Sequence, residues 1–286
     1  MDPLEKSKFR SFLIILQILF TAHALRAASG VSEEAAVQTK EQDIKNPLLE
    51  EKHIANAIVE QDDNRIFRHK PVYFAYSNPL TKVQLSFRSA LVDDLPLFFG
   101  YTQVIFWELG AESKPFLDAT YNPEFFYRFS PDGNLLKNVD FGIWEHQSNG
   151  KGGPDSRSFD QTYIKGTYAF EGRRWVTTLS GKISYIYNND ETNNNISTYI
   201  GPMDLGIKFT QLYSGVIDKS EFAINAHPGG KWASDWAKGG YEFTYSFRLG
   251  GVKVVPSFFI QYFTGYGETL LTYDKRQDQY RFGLLF

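Results

Sequence analysis

Three residues in the middle of the chain have types and spacing suited to acyl transfer. His146 and Ser148 are two apart in the string Trp144-Glu145-His146-Gln147-Ser148-Asn149-Gly150. On a β-strand such residues share a face, with Cβ atoms roughly 7 Å apart, so an imidazole reaches a serine hydroxyl. If the next strand returns antiparallel, Asp160 lies opposite His146 with Cβ atoms about 5 Å apart. Nucleophile, base and orienting acid then occupy two neighbouring strands. The intervening segment is long for a hairpin and rich in Gly, Asp and Ser. It offers carbonyls and hydroxyls to a hard cation and amides to an oxyanion. Taken alone, a His–Ser pair at this spacing more often marks solvated residues at a strand end. Elimination narrows the choice of base. His23, His53 and His69 fall in the N-terminal region, and His227 stands beside Pro228-Gly229-Gly230, where a turn is expected. Cysteine is absent, which excludes thiolate nucleophiles, disulfides and cysteine–zinc sites.

The elements that must position these residues read as strands. From residue 72 to 286 the chain is a series of period-two segments. Glu242, Thr244, Ser246 and Arg248 alternate with Tyr241, Phe243, Tyr245, Phe247 and Leu249, and Thr178, Ser180, Lys182 and Ser184 with Leu179, Ile183 and Tyr185. Successive side chains of a strand face opposite sides, so each segment has one apolar and one polar face. Roughly a dozen such segments, about ten residues long, match transmembrane β-strands. Turn signals separate them, among them Pro131-Asp132-Gly133-Asn134 and Asn188-Asn189-Asp190. The expected fold is all-β, a transmembrane antiparallel barrel of about 12 strands. A soluble two-sheet sandwich explains the alternation but not the strand length or the 16% aromatic content. Mean hydropathy of −0.34 rules out a bundle of membrane helices. A net charge of −3 supplies no basic field for nucleic acid.

The N-terminus has a different character. Lys6, Lys8 and Arg10 precede the short apolar run 11–20, and small residues follow at Ala22, Ala24, Ala27 and Ala28. Residues 1–28 read as a secretory signal peptide, the run being short for a membrane anchor. Residues 29–70 read as a polar leader or linker with too little apolar content for a core, and residues 71–286 as the barrel with its catalytic loop. The last segment carries Tyr280, Phe282, Leu284 and the terminal Phe286 on one face, as a closing membrane strand would.

The string His146-x-Ser148-Asn149-Gly150, followed by Ser156-Arg157-Ser158 and an aromatic, resembles the active-site segment of the outer-membrane phospholipase A family, the bacterial β-barrel phospholipases A1. Tyr101-Thr102-Gln103 with Trp107, then Ser113-Lys114-Pro115-Phe116 and Tyr121-Asn122-Pro123, resemble that family's third strand and the loop after it. Gly265-Tyr266-Gly267-Glu268 with Tyr273 resembles its C-terminal region. The resemblance implies a calcium-dependent enzyme of the bacterial outer membrane, active as a homodimer, that hydrolyses acyl esters of phospholipids and lysophospholipids. It implies Ser148 as nucleophile, His146 as general base and the Gly150 amide in the oxyanion hole. It further implies Ca2+ held by the Lys151 carbonyl, Ser156 and a Ser113 from the second subunit. Gln103 matches a polar residue of the dimer interface. It lies on an otherwise apolar stripe with Phe99, Tyr101, Ile105 and Trp107, where a lone amide is costly without a partner.

The chain departs from the family pattern in three places. Asp160 stands where the family's third catalytic residue is Asn, and an aspartate still holds the imidazole tautomer. Gly153 replaces a loop Asp, which puts a second calcium site in question unless Asp155 or Asp160 substitutes. Val139, Phe141 and Ile143 are out of phase with His146 and Ser148, so both sets face lipid only if a β-bulge near Trp144–Glu145 restores the phase. Two readings outside the resemblance stay open on the residues alone: a non-catalytic porin or structural barrel, and another outer-membrane lipid hydrolase such as a lipid A deacylase.

Overall fold

The computed structural model of the chain describes residues 66–93, 95–131, 135–213, 215–251 and 256–286. The expected signal peptide, 1–28, and the expected leader as far as residue 65 lie outside the described residues.

The described chain is built from β1 (Ile66–Arg68), β2 (Tyr73–Tyr76), β3 (Thr81–Val92), β4 (Leu95–Trp107), β5 (Phe116–Phe129), β6 (Leu136–Ser148) and β7 (Ser158–Glu171). It continues with β8 (Trp175–Tyr187), β9 (Met203–Leu212), β10 (Ile217–Gly229), β11 (Asp235–Leu249), β12 (Ser257–Gly265) and β13 (Gln277–Leu285). Each strand pairs antiparallel with its sequence neighbour from β2 onward, and β13 pairs back onto β2 through Phe282↔Tyr76 to Leu285↔Tyr73. The twelve strands β2 to β13 thus close into a barrel with no free edge. The short β1 continues the line of β2 along β3, with Phe67 opposite Arg88.

Alternation sorts the side chains as a membrane barrel requires. Ile183 on β8 is 68% exposed on the outside, while the side chain of its neighbour Lys182 is 15% exposed in the lumen. Leu205, Ile207 and Phe209 of β9 and Phe258 and Ile260 of β12 continue the outer apolar surface. No described helix is long and apolar enough to cross a membrane; the strands carry the apolar surface. The lumen is filled by paired charges. Glu145 accepts from Lys182 Nζ at 2.7 Å, Gln161 Nε2 at 2.9 Å and Asn122 Nδ2 at 3.0 Å. Arg281, fully enclosed, bonds Glu268, the Gln261 side chain and the Leu80 carbonyl. These groups are desolvated, and each is met by oppositely charged or hydrogen-bonding partners that offset the cost of burial. His69 and Lys70, grouped by composition with the leader, also reach the lumen, where His69 Nε2 lies 2.7 Å from Glu124 Oε1 and Lys70 Nζ donates to Asn122 at 3.0 Å.

Two local features of the wall differ from the expected strand boundaries. β5 begins at Phe116, so Tyr121-Asn122-Pro123 lies inside a strand instead of in a loop. Pro123 has no N–H to give to a ladder. Pairing with β6 lapses between Tyr121↔Ser148 and Glu124↔Glu145, and the Asn122 amide donates to the His146 carbonyl at 2.9 Å in the gap. His227 lies within β10 instead of a turn; its Nε2 is 2.9 Å from the Tyr266 carbonyl and its ring covers Gly240, where a Cβ would collide with it.

The expected bulge is present, one residue earlier than the sequence suggests. On the β5 side the pairing runs Phe125↔Trp144 then Phe126↔Gly142, and on the β7 side Gly142↔Tyr163 then Glu145↔Gln161. One extra residue therefore sits on β6 between Gly142 and Glu145, and both registers fit Ile143. Before it, Asp140 and Gly142 are buried; after it, Glu145 is. The phase change lets Val139 and Phe141 share the outer face with His146 and Ser148.

Candidate active site

β6 and β7 place the site, and their register makes His146 and Asp160 direct cross-strand partners. His146 Nδ1 and Asp160 Oδ1 are 2.7 Å apart. With the Nδ1 proton donated to the carboxylate, Nε2 is left with its lone pair, the form a general base needs. The indole of Trp144 stacks on the imidazole, centroids 5.8 Å apart and planes within 11°, and limits its rotation. Ser148 follows two residues on along the same outer face.

The loop after β6 folds back on Ser148. Gly150 takes φ +66°, and its N–H donates to Ser148 Oγ at 3.2 Å. A Cβ at Gly150 would stand 2.9 Å from Tyr121 Cε2, so the backbone approaches this closely only as glycine. A short 3-10 turn, Gly153–Asp155, reverses the chain. Asn149, buried, staples the loop: its Oδ1 accepts from the Arg157 N–H at 3.0 Å and the Lys151 N–H at 3.3 Å, and its Nδ2 donates to the Asp155 carbonyl at 2.9 Å.

The sequence-derived metal ligands are placed unequally. Ser156 lies in this loop, and its hydroxyl donates to Asp190 Oδ2 at 2.6 Å from the loop after β8. That bond, with the N–H and hydroxyl of Thr192, holds the Asp190 carboxyl below its ordinary value by favouring the charged form. Lys151 extends its Nζ to the Leu117 carbonyl at 2.8 Å. Ser113 is exposed on the loop between β4 and β5, at the same rim of the barrel. Among the described residues no group of three or more His, Cys, Asp or Glu side chains could hold a metal ion, so a cation here depends on hydroxyl and carbonyl oxygens. Asp160 is committed to His146 and Asn188, and Asp155 is exposed with its carbonyl taken by Asn149. Gln103 lies on the outer face of β4, between Leu85 of β3 and Tyr121 of β5, both exposed apolar groups.

Residues that support the site were legible only as turn formers. Asn188 donates to Asp160 Oδ2 at 2.6 Å, Asp190 holds Ser156, and Asn193 bridges the Ser158 backbone at 3.3 Å and 3.0 Å. Nothing in a stretch reading Asn-Asn-Asp assigns it to a loop thirty residues away.

The chain matches the family model described as Phospholipase A1 over residues 30–286. It is 31% identical over 215 residues to the phospholipase A1 of Proteus vulgaris, spanning 71% of this chain and 68% of that protein. To the phospholipase A1 of Escherichia coli K12 it is 30% identical over 217 residues, with the same coverage of 71% and 68%. Among solved structures, the Salmonella typhi outer membrane phospholipase, a dimer with bound calcium, superposes with a TM-score of 0.64 over 82% of this chain and 96% of that one, at 22% identity. That likeness bears on the fold, a twelve-strand closed barrel in which the His146–Asp160 pair faces outward. With the family match running from residue 30 to the last residue of the barrel, the conclusion follows that this chain belongs to the phospholipase A1 family.

Proposed function

We propose that the protein is a calcium-dependent phospholipase A of the bacterial outer membrane that hydrolyses acyl ester bonds of phospholipids and lysophospholipids. The observation that carries the reading is the 2.7 Å His146–Asp160 pair on the outer face, with Ser148 beside it and the Gly150 N–H 3.2 Å from Ser148 Oγ. A site on the outside of the wall is open to a lipid diffusing laterally, which a luminal site is not. Ser148 Oγ attacks the ester carbonyl while His146 Nε2 takes its proton, and the Gly150 N–H donates to the oxygen that becomes negative. His146 then returns the proton to the leaving alkoxide. Water, deprotonated by the same imidazole, releases the fatty acid from Ser148 and restores the enzyme. Asp160 holds the imidazole and balances its charge when protonated.

The oxygens near Ser148 fit Ca2+. Because the Ser156 proton is committed to Asp190, the hydroxyl lone pairs are free for a cation, and the Lys151 carbonyl adds a second neutral oxygen. When bound there, calcium supplies positive charge toward the developing oxyanion. A site with so few ligands from one chain supports a homodimer in which Ser113 of a second copy completes it. Gln103, an amide on the apolar outer face whose Oε1 accepts from the Tyr101 hydroxyl at 3.5 Å, supports the same association, since pairing across an interface gives the rest of the amide partners that lipid does not.

The test is fatty-acid release from phospholipid and lysophospholipid in mixed micelles, with calcium and with a chelator. Release is expected with calcium, falling by about a hundredfold or more in chelator, the scale of losing oxyanion stabilisation. Ser148→Ala is expected to be inactive while remaining a folded, heat-modifiable barrel. A non-catalytic barrel predicts no release in any condition, and undiminished release by Ser148→Ala would remove the assigned nucleophile.

A further inference from the structure

Asn188 stands just past the end of β8 with φ +54°, in the region that asparagine, aspartate and glycine enter most readily. Its Nδ2 donates to Asp160 Oδ2 at 2.6 Å, while Asp160 Oδ1 accepts from His146 Nδ1 at 2.7 Å. The carboxylate is therefore gripped at both oxygens, by one residue each, and cannot turn about its Cβ–Cγ bond without losing both contacts. We propose that Asn188 is a positioning residue of the catalytic centre, fixing the Asp160 carboxylate in the orientation that holds the His146 imidazole. The inference rests on Ser148 and His146 acting as nucleophile and base.

The chemistry of the pair explains why an amide is needed beside this aspartate. An ionised carboxylate has acceptors only, so its outer oxygen must face a donor. Buried against the loop without one, it would turn toward solvent or toward another donor, and the imidazole would lose its anchor. Asn188 meets the requirement in one amide orientation alone, with Nδ2 inward. An amide in place of the carboxylate at 160 would be less demanding, because flipping the Asn188 side chain presents Oδ1 to its NH2 group. The requirement for Asn188 is therefore tied to the carboxylate, the feature in which residue 160 departs from the pattern the sequence otherwise follows. Loop geometry supports the contact: the Asp190 N–H bonds the Ser158 carbonyl at 3.0 Å and Asn193 bridges Ser158, so the chain carrying Asn188 is moored to the start of β7.

The pair can be inverted, and a purely structural contact would not respond to inversion as a positioning contact does. Asn188→Asp keeps size and backbone preference but sets two carboxylates against each other. Its kcat is expected to fall by about a hundredfold with KM little changed, since positioning is lost in the reaction and not in lipid binding. The double variant Asp160→Asn with Asn188→Asp restores a donor facing an acceptor and leaves a carbonyl oxygen for His146 Nδ1. Its kcat is expected to recover to within about tenfold of the starting protein. Asn188→Gly tolerates the same φ and only deletes the donor, with an expected loss of about tenfold in kcat. All rates are taken per folded, heat-modifiable barrel, and Ser148→Ala is measured beside them. Wild-type kcat in Asn188→Asp or in Asn188→Gly overturns the inference, as does a folded double variant no better than Asn188→Asp. If Asn188→Asp yields no folded barrel, Asn188→Gly decides alone. Should Ser148→Ala keep its turnover, the reading of the nucleophile has failed and the inference with it; an inactive Ser148→Ala beside a fully active Asn188→Gly removes the role of Asn188 and leaves that reading intact.

Discussion

Gly150 shows how much one residue type decides. Its φ of +66° costs an L-residue about 1–2 kcal/mol, and a methyl group there meets the Tyr121 ring at 2.9 Å. Gly150→Ala must move either the ring or the amide that points at Ser148. If the amide moves, an oxyanion donor is lost. The expected outcome is a folded barrel whose kcat is reduced by about 10²–10³-fold with KM little altered. Steady-state release of fatty acid by purified folded protein checks this; an unchanged kcat would show that the Gly150 amide takes no part. That His146 and Ser148 share one face was legible from their spacing, because strand geometry is regular enough to place residues two apart on one side, while the chemistry assigned to them came from the family resemblance. The partners of Asp160 and Ser156 were not legible, since Asn188 and Asp190 come from a different loop and their residue types say no more than that a turn is near.

At the scale of the element, β6 carries two incompatible demands. Val139 and Phe141 belong outside with the lipid-facing surface, and the proposed function needs His146 and Ser148 outside as well, yet the two sets differ in parity. The extra residue at Ile143 reconciles them. Deleting Ile143 makes the strand regular and forces one set into the lumen, either burying His146 and Ser148 or displacing Asp140 from Arg128, which it meets at 2.7 Å. The deletion variant is expected to give little heat-modifiable barrel and, in whatever folds, ester hydrolysis at background. An abundant and active deletion variant would show that the bulge is not what re-aims the site. The need for a bulge was visible in the sequence as a conflict of phase. Its position was not, because a one-residue insertion restores phase wherever it falls, and only pairing with β5 and β7 fixes it between Gly142 and Glu145.

At the scale of the whole molecule, the lumen beneath the site is a network of charges whose members stabilise one another. Glu145 directly precedes His146 and points the opposite way, into contact with Lys182, Gln161 and Asn122, and Asn122 also takes the His146 carbonyl. The strand that carries His146 and Ser148 is thus anchored from inside by groups that never meet lipid. Lys182→Met removes the ammonium at 2.7 Å from Glu145 and leaves only the more distant Lys70 at 3.9 Å, so the loss approaches the roughly 3–5 kcal/mol of a broken buried pair. The midpoint of thermal unfolding, read as the heat-modified shift on a gel, is expected to drop by roughly 10 °C for a domain of this size. Replacing both partners, Glu145→Leu with Lys182→Met, is expected to recover part of that drop, because no lone charge remains. A midpoint unmoved by Lys182→Met would mean that Lys70, Asn122 and Gln161 suffice to hold the carboxylate.

What the sequence determined by itself was the pattern that any folding solution must satisfy. Strict alternation over long segments, aromatic surface and an absence of cysteine admit a barrel with an apolar outside, and the His146-x-Ser148 spacing puts those two side chains on one face of one strand. Tertiary structure decided everything that depends on which strand or loop lies beside which. It brought Asp160 opposite His146 by register, made a strand of the Tyr121-Asn122-Pro123 stretch by letting a side chain fill the gap proline leaves, and drew His69 and Lys70 into the lumen. It also turned Asn188-Asn189-Asp190 from a turn into the support of the site. The physical reason is that periodicity is a local property written along the chain, whereas a hydrogen bond between residues twenty-eight apart exists only once the register of β8 on β7 has set Tyr187 opposite Asp160 and brought Asn188 beside it.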